Sequence, residues 1–169
     1  GAGTVAHRSP WVSTVAATTH NRVYASSLVA MSGGITPPAD MVGQAIAIGH
    51  GPAPIVYAGD YGDALCLNPF PAGTWTNEEI VVCDRGTNAR VDKGANVLAG
   101  GAGGFVLAND AASGNSLTAD AHYLPAVHIT YDDGVVVKAW LAEGSGHTAT
   151  ITGTSEDLSP ENGDIMASF

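Results

Sequence analysis

Residues 79–109, EIVVC-DRGTN-ARVDKGANVLA-GGAGG-FVLAN, govern how the rest of the chain is read. Glu79 to Cys83 is a near-continuous apolar run, the pattern of a strand buried on both faces. Asp84 to Asn88 is a turn in which Thr87 or Asn88 is placed to cap a helix. The helix runs from Ala89 to Ala99 and puts Val91, Ala95, Leu98 and Ala99 on one face. Gly100-Gly101 ends it, and Gly103-Gly104 leads into a second strand, Phe105 to Ala108. Strand, helix and strand in this order imply a partly parallel sheet.

Downstream, a polar loop from Asn109 to Tyr123 leads to a strand from Ala126 to Thr130. Asp132 or Asp133 then starts a second helix that reaches Glu143, with Val136, Val137, Trp140 and Leu141 inward. Thr148 to Thr152 is a closing strand. Upstream, strands are expected at Trp11–Ala17, Arg22–Ala30, Ala45–Ile48 and Pro54–Ala58, with turn residues over Ser32–Asp40. Gly59 to Asn77 is irregular, because Asn68-Pro69 and Phe70-Pro71 break any long helix. The sum is a mixed α/β domain rich in strands.

At 169 residues, 45% of them hydrophobic, the chain is sized for one domain with a real core. Sixteen acids against six bases give a formal charge of −10, which repels nucleic acid phosphates and anionic lipid, so neither is expected as a partner. No apolar run approaches the roughly 20 residues that span a bilayer. Gly1 to Pro10 carries no basic-then-apolar leader pattern. Ile165 to Phe169 reads as the start of a strand cut short, and the expectation is a piece of a longer protein. The two cysteines, Cys66 and Cys83, leave sixteen residues between them. A bridge there would stabilise the fold by about 3 kcal/mol on the chain-entropy account, and two free thiols are the competing state. Composition leaves both open.

Chemistry-bearing patterns are few. Gly100 to Gly104 follows a helix and precedes a strand, the reverse of a phosphate-binding loop, and is read as a tight turn with close packing. The histidines at 7, 20, 50, 122, 128 and 147 form no H-x-H or H-E-x-x-H pair, so no metal site is expected. Asp60 and Asp63 are read as solvated turn acids. Gly153-Thr154-Ser155 imitates a serine protease nucleophile motif, but Glu156 follows it and would oppose a developing oxyanion. Gly49-His50-Gly51-Pro52 likewise lacks a partner base or nucleophile. No catalytic residue, metal or cofactor is expected in this chain. Among loop residues, Tyr61, Trp75 and Tyr123 are the candidate contact aromatics for protein or peptide, with His122 beside Tyr123.

Several segments together carry a family resemblance. Ile80-Val81-Val82-Cys83-Asp84-Arg85-Gly86, Ala89-Arg90-Val91-Asp92-Lys93-Gly94 and Gly100 to Asn109 resemble the protease-associated (PA) domain of plant-type subtilases. Pro54-Ile55-Val56-Tyr57-Ala58-Gly59 is similar to the opening strand of that domain. Ala119-Asp120-Ala121-His122-Tyr123-Leu124-Pro125-Ala126 is similar to a segment near its end. Ser9 to Ala17 and Met166 to Phe169 resemble the flanking catalytic domain of a subtilisin-like serine protease. The resemblance implies a β-rich α/β fold, a curved mixed sheet or open barrel with about two flanking helices. It implies that residues 1–20 and 154–169 are stubs of the host and that 21–153 form the PA domain. It also implies that the host's catalytic Asp, His, Asn and Ser lie elsewhere. A secreted, oxidising setting and a Cys66–Cys83 bridge follow from the same resemblance. The implied partners are the host's catalytic domain and its protein or peptide substrates, whose access or specificity the insert would modulate. The alternative it leaves is a structural insert that stabilises, shields or oligomerises the host.

Overall fold

The computed structural model describes residues 11, 13 and 17–166. In chain order it contains β1 (Val23–Ser32), β2 (Met41–Gln44), β3 (His50–Tyr57), β4 (Ile80–Asp84), α1 (Arg90–Ala99) and β5 (Gly104–Ala108). Then follow β6 (Ala126–Ile129), α2 (Tyr131–Leu141), β7 (Thr148–Ile151) and β8 (Ser155–Asp157). The strands are ordered β2-β6-β5-β4-β3-β7-β1-β8, and a further β1–β2 pairing closes seven of them into a barrel with β8 attached to β1. This is the curved, strand-rich α/β architecture expected. Pairs β3–β4, β4–β5 and β5–β6 are parallel; the remaining pairs are antiparallel.

Parallel neighbours need a crossover, and here only α1 supplies one as a helix. The β3-to-β4 connection is the irregular segment 58–79, and β5-to-β6 is the polar loop 109–125. Two long connections therefore lie over the parallel part of the sheet, and both border the candidate site.

The continuous apolar run of β4 has the packing it requires. Ile80 and Val82 join a core with Val106, Val137 and Trp140, so α2 covers that side. Val81 and Cys83 face a second core with Phe70, Trp75, Val97 and Phe105, which α1 and the irregular segment cover. Strand alternation sends successive residues to opposite faces, and here both faces are dry.

Four local expectations are corrected. The second strand is Met41–Gln44, not Ala45–Ile48; Ile46 makes only an isolated bridge to Ala121, and Ile48 is 75% exposed. Gly43 disguises the true strand, yet the position needs glycine, since a Cβ there would lie 2.3 Å from the His128 carbonyl oxygen. Neither Thr87 nor Asn88 caps α1: its N-cap is Ala89, without a side-chain bond. The inward face of α1 is Lys93, Gly94 and Val97, while Leu98 is exposed. A lysine at the centre of the buried face shifts the stripe away from the one its aliphatic residues suggest. α2 begins at Tyr131, capped by Thr130, whose hydroxyl accepts from Asp133 N at 3.1 Å and donates to Asp133 Oδ2 at 2.7 Å. Gly134, Val137 and Trp140 face inward from it and Val136 is exposed. Gly134 lets the helix lie against β5, where a Cβ would sit 2.7 Å from that of Ala108.

Most of the expected strand at Trp11–Ala17 falls outside the described residues, as do 167–169. The flanks that are described run side by side. Thr18 bridges Met166 in antiparallel fashion, Thr19 N donates to Ile165 O at 3.0 Å, and Asp164 N donates to Thr19 O at 3.1 Å.

Candidate functional site

The two long connections are held by different chemistry. Segment 58–79 is anchored covalently: Cys66 and Cys83 form a disulfide with Cα atoms 6.0 Å apart, tying it to β4. Around that bridge, Asn88 and Asn96 both donate to the Cys66 carbonyl, at 3.1 and 2.9 Å. Lys93, fully buried, donates from Nζ to the Leu65 carbonyl and to Asn88 Oδ1. Burial holds the Lys93 pKa below the ordinary lysine value, although Asp63 and Asp84 pull it upward. Asn88 thus ties the segment to α1 rather than capping the helix.

Further along, the Trp75 ring packs at 4.7 Å from the Phe70 ring, and the Trp75 backbone N–H donates to Gly100 O at 3.0 Å. A Cβ on Gly100 would come within 2.6 Å of the Trp75 ring, and Gly101 has φ +100°. The first pair of the glycine cluster is therefore the seat of Trp75. Trp75 itself is only 2% exposed. Of the candidate contact aromatics it is the one turned inward, supporting the segment from beneath. Tyr61, 44% exposed, stands edge-on to it with ring centroids 5.4 Å apart.

The loop 109–125 is held by hydrogen bonds. Asn109 donates from Nδ2 to the carbonyls of Gly114 and Ser116, at 2.8 and 3.0 Å. Its Oδ1 accepts from Arg85 at 2.8 Å and from His128 Nε2 at 3.0 Å. Thr118 N donates to His128 Nδ1 at 3.2 Å, so Nε2 is the nitrogen that carries the proton. Burial pushes the His128 pKa down to about 4. Nearer the loop's end, Arg90 grips Asp120 with two bonds of 2.5 and 3.1 Å. Burial disfavours the Asp120 carboxylate, but Arg90 outweighs it and holds the pKa below the usual range. His122 rests edge-on to Phe105 at 5.1 Å, and burial lowers its pKa. The adjacent Tyr123 projects outward, 71% exposed.

Two depressions adjoin these aromatics, and they share no lining residue. One, of about 340 Å³, is bounded by Tyr57, Asp60, Tyr61, Leu141 and His147. The other, of about 270 Å³, lies among Ile48, His122, Tyr123, Leu124 and Pro125. Tyr61 and Tyr123 thus belong to separate surfaces. Sequence reading took Asp60 as a solvated turn acid over a cation contact, and it missed the trio that Tyr57 of the first rim belongs to. There Tyr57 OH donates to Asp84 Oδ2 at 2.6 Å, and Lys138 Nζ bonds Asp84 Oδ1 at 2.6 Å. No spacing could have signalled it, since its members come from three elements.

The protease-like fragments are engaged structurally. The Thr154 hydroxyl accepts from Ala47 N at 2.8 Å and bonds the carbonyls of Ala45 and Ala47, both at 2.9 Å. The His50 ring bonds the Glu78 carbonyl at 2.8 Å. Among the described residues no group of three or more His, Cys, Asp or Glu is placed to hold a metal ion, and no helix is long and apolar enough to cross a membrane.

Comparison with known proteins gives this scaffold its class: residues 52–137 match the PA domain model, and the chain belongs to that family. Its relatives include subtilisin-like proteases of Arabidopsis thaliana. It is 34% identical over 167 residues to SBT1.4, a match covering 97% of this chain and 21% of that protein. It is 35% identical over 168 residues to SBT1.7, covering 95% of this chain and 22% of the relative. The chain thus spans about a fifth of the length of these relatives. A zinc aminopeptidase from Bacillus subtilis aligns over 79% of this chain and 35% of its own, with a TM-score of 0.42 and 18% identity.

Proposed function

We propose that this chain is the non-catalytic PA insert of a secreted subtilisin-like serine protease, a protein-interaction module that adjusts which substrates reach the host's active site. Residues 21–153 are the insert in this reading, and 1–20 and 154–169 belong to the host's catalytic domain. The observation that carries it is the antiparallel pairing of Thr18 and Thr19 with Asp164 to Met166. Incoming and outgoing strands that are hydrogen-bonded to each other let a host accept the module without rearranging its own sheet. The similarity to one fifth of each protease, over nearly the whole of this chain, supports the same arrangement. The disulfide supports a secreted setting.

Tyr61, with Trp75 behind it, and Tyr123 beside His122 are the proposed contact residues for protein or peptide. Replacing 21–153 by a short Gly-Ser linker in the full-length protease tests the reading. Hydrolysis of a small chromogenic substrate should persist while the kcat/KM ranking of longer peptides changes. An unchanged ranking would refute the specificity role. A loss of thermal stability with unchanged ranking would instead select the structural alternative, which the exposed apolar residues Ile46, Ile48 and Tyr123 favour as a docking face. Casein hydrolysis by the isolated chain would overturn the non-catalytic assignment.

A further inference from the structure

The depression beside Tyr61 has a composition that selects a ligand. Its floor is apolar, from Ile55, Val56 and Leu141, and its rim carries Tyr57, Tyr61 and the Asp60 carboxylate. Asp60 is exposed and takes part in none of the three ion pairs among the described residues: Arg22–Glu156, Arg90–Asp120 and Lys138–Asp84. The remaining described bases are also engaged, Arg85 by Asn109 and Lys93 by Leu65 and Asn88. No described lysine or arginine of this chain is left to neutralise Asp60, and the neighbouring His147 ring is bonded to the Glu143 carbonyl at 2.9 Å. A counter-charge there has to arrive on another molecule, and the net charge of −10 favours its approach. The molecule already displays the arrangement once. Lys138 Nζ sits 5.6 Å from the Tyr57 ring centroid while bonded to the Asp84 carboxylate, an ammonium shared between a tyrosine ring and an acid.

We propose that this depression is a subsite for one lysine or arginine side chain of a peptide segment, with its methylenes on Ile55 and Leu141, its charge at Asp60 and the Tyr61 ring alongside. The proposal rests on the interaction reading above and supplies the class of residue recognised. Long cationic side chains suit such a site, since their stems bury on apolar surface while the head keeps its charge near water. The depression at His122 and Tyr123 offers no comparable charge.

The test uses two blocked pentapeptides that differ only at the centre, arginine in one and citrulline, its neutral isostere, in the other. Each is titrated into the isotopically labelled chain while backbone amide shifts are followed by NMR. The arginine peptide should move the amides of residues 55–62 and 147 and bind roughly fivefold more tightly than the citrulline peptide. Asp60→Asn, at an exposed position, should abolish the difference, and raising the salt concentration should shrink it. Val42→Ala, exposed and outside the lining of both depressions, should leave it intact. Equal binding of the two peptides, or shifts confined to the Tyr123 depression, would overturn the subsite while leaving the interaction reading in place. Silence with both peptides would also overturn it; the linker-replaced protease would then decide the broader reading on its own.

Discussion

Acidification should unfasten this domain through His128, and the size of the effect follows from its surroundings. The ring is fully buried, accepts from Thr118 N on one side and donates to Asn109 on the other. A proton taken up at Nδ1 would face the Thr118 N–H, with only the Thr118 carbonyl at 3.3 Å to accept it, in a buried site under the influence of Arg85 and Arg90. Burial is the main reason that the folded pKa lies at about 4; Arg85 and Arg90 add to it, while the Thr118 backbone contact and Asp120 oppose it. In the unfolded chain the same imidazole titrates near its ordinary 6.5. The folded state therefore binds fewer protons between these values, and stability must fall as pH falls. The contribution is fully present above about pH 6.5, declines towards pH 4, and is gone below that. A gap of about 2.5 pH units at 1.36 kcal/mol each comes to about 3 kcal/mol. The assay is urea unfolding at several pH values from 7 to 4.5, followed by the fluorescence of the buried Trp75 and Trp140. His128→Gln retains an acceptor and a donor but cannot titrate. It should flatten the decline in this window by close to one proton, about 1.4 kcal/mol per pH unit. His122→Gln should remove a separate share, since burial lowers that pKa as well. Asp110 and Asp120 have pKa values below the ordinary 3.8, so their losses fall at lower pH. A His128→Gln variant with the wild-type slope would refute the reasoning.

Reduction of Cys66–Cys83 should cost about 3 kcal/mol by releasing the loop it closes, and limited proteolysis should then cut within 59–77 before any strand. Uniform resistance of the reduced chain would contradict that order. Lys93→Ala should destabilise by roughly 2–4 kcal/mol, because it opens a cavity and strands the Leu65 carbonyl; Lys93→Met, which keeps the volume, should lose less. Thermal unfolding of the pair reads this directly, and equal losses would make the hydrogen bonds rather than the packing decisive. Gly100→Ala should push Trp75 from its seat at a cost of roughly 1–3 kcal/mol. The accompanying signature is a red-shifted fluorescence that Trp140 does not share.

Sequence reading succeeded where one physical effect dominated. A continuous apolar run such as Ile80 to Cys83 has only one comfortable place, between two covered faces, and the glycines after Ala99 can only stop a helix. It failed where a residue's usual behaviour is overruled by a neighbour far along the chain. Gly43 looks like a strand breaker, but the close approach of β6 requires it. Lys93 looks like surface, but the Leu65 carbonyl and the Asn88 side chain receive its ammonium inside. The exposed tyrosines at 61 and 123 were readable as loop aromatics. Trp75 could not be told from them, because what buries it is a glycine pair 25 residues later in the chain. The Asn109–His128–Thr118 fastening and the acid at Asp60 carry no motif; they become visible only when three dimensions bring them together.

The pairing of Thr19 with Ile165 has a wider meaning for how such a module travels between proteins. The two ends that flank the insert are hydrogen-bonded to each other, so a recipient that offers such a pair needs to open only one surface turn to receive it. The entropic penalty of joining distant chain points grows slowly with length and is here met by the paired ends. Transplantation into an unrelated scaffold at a two-residue turn should then leave both folds with their separate melting transitions.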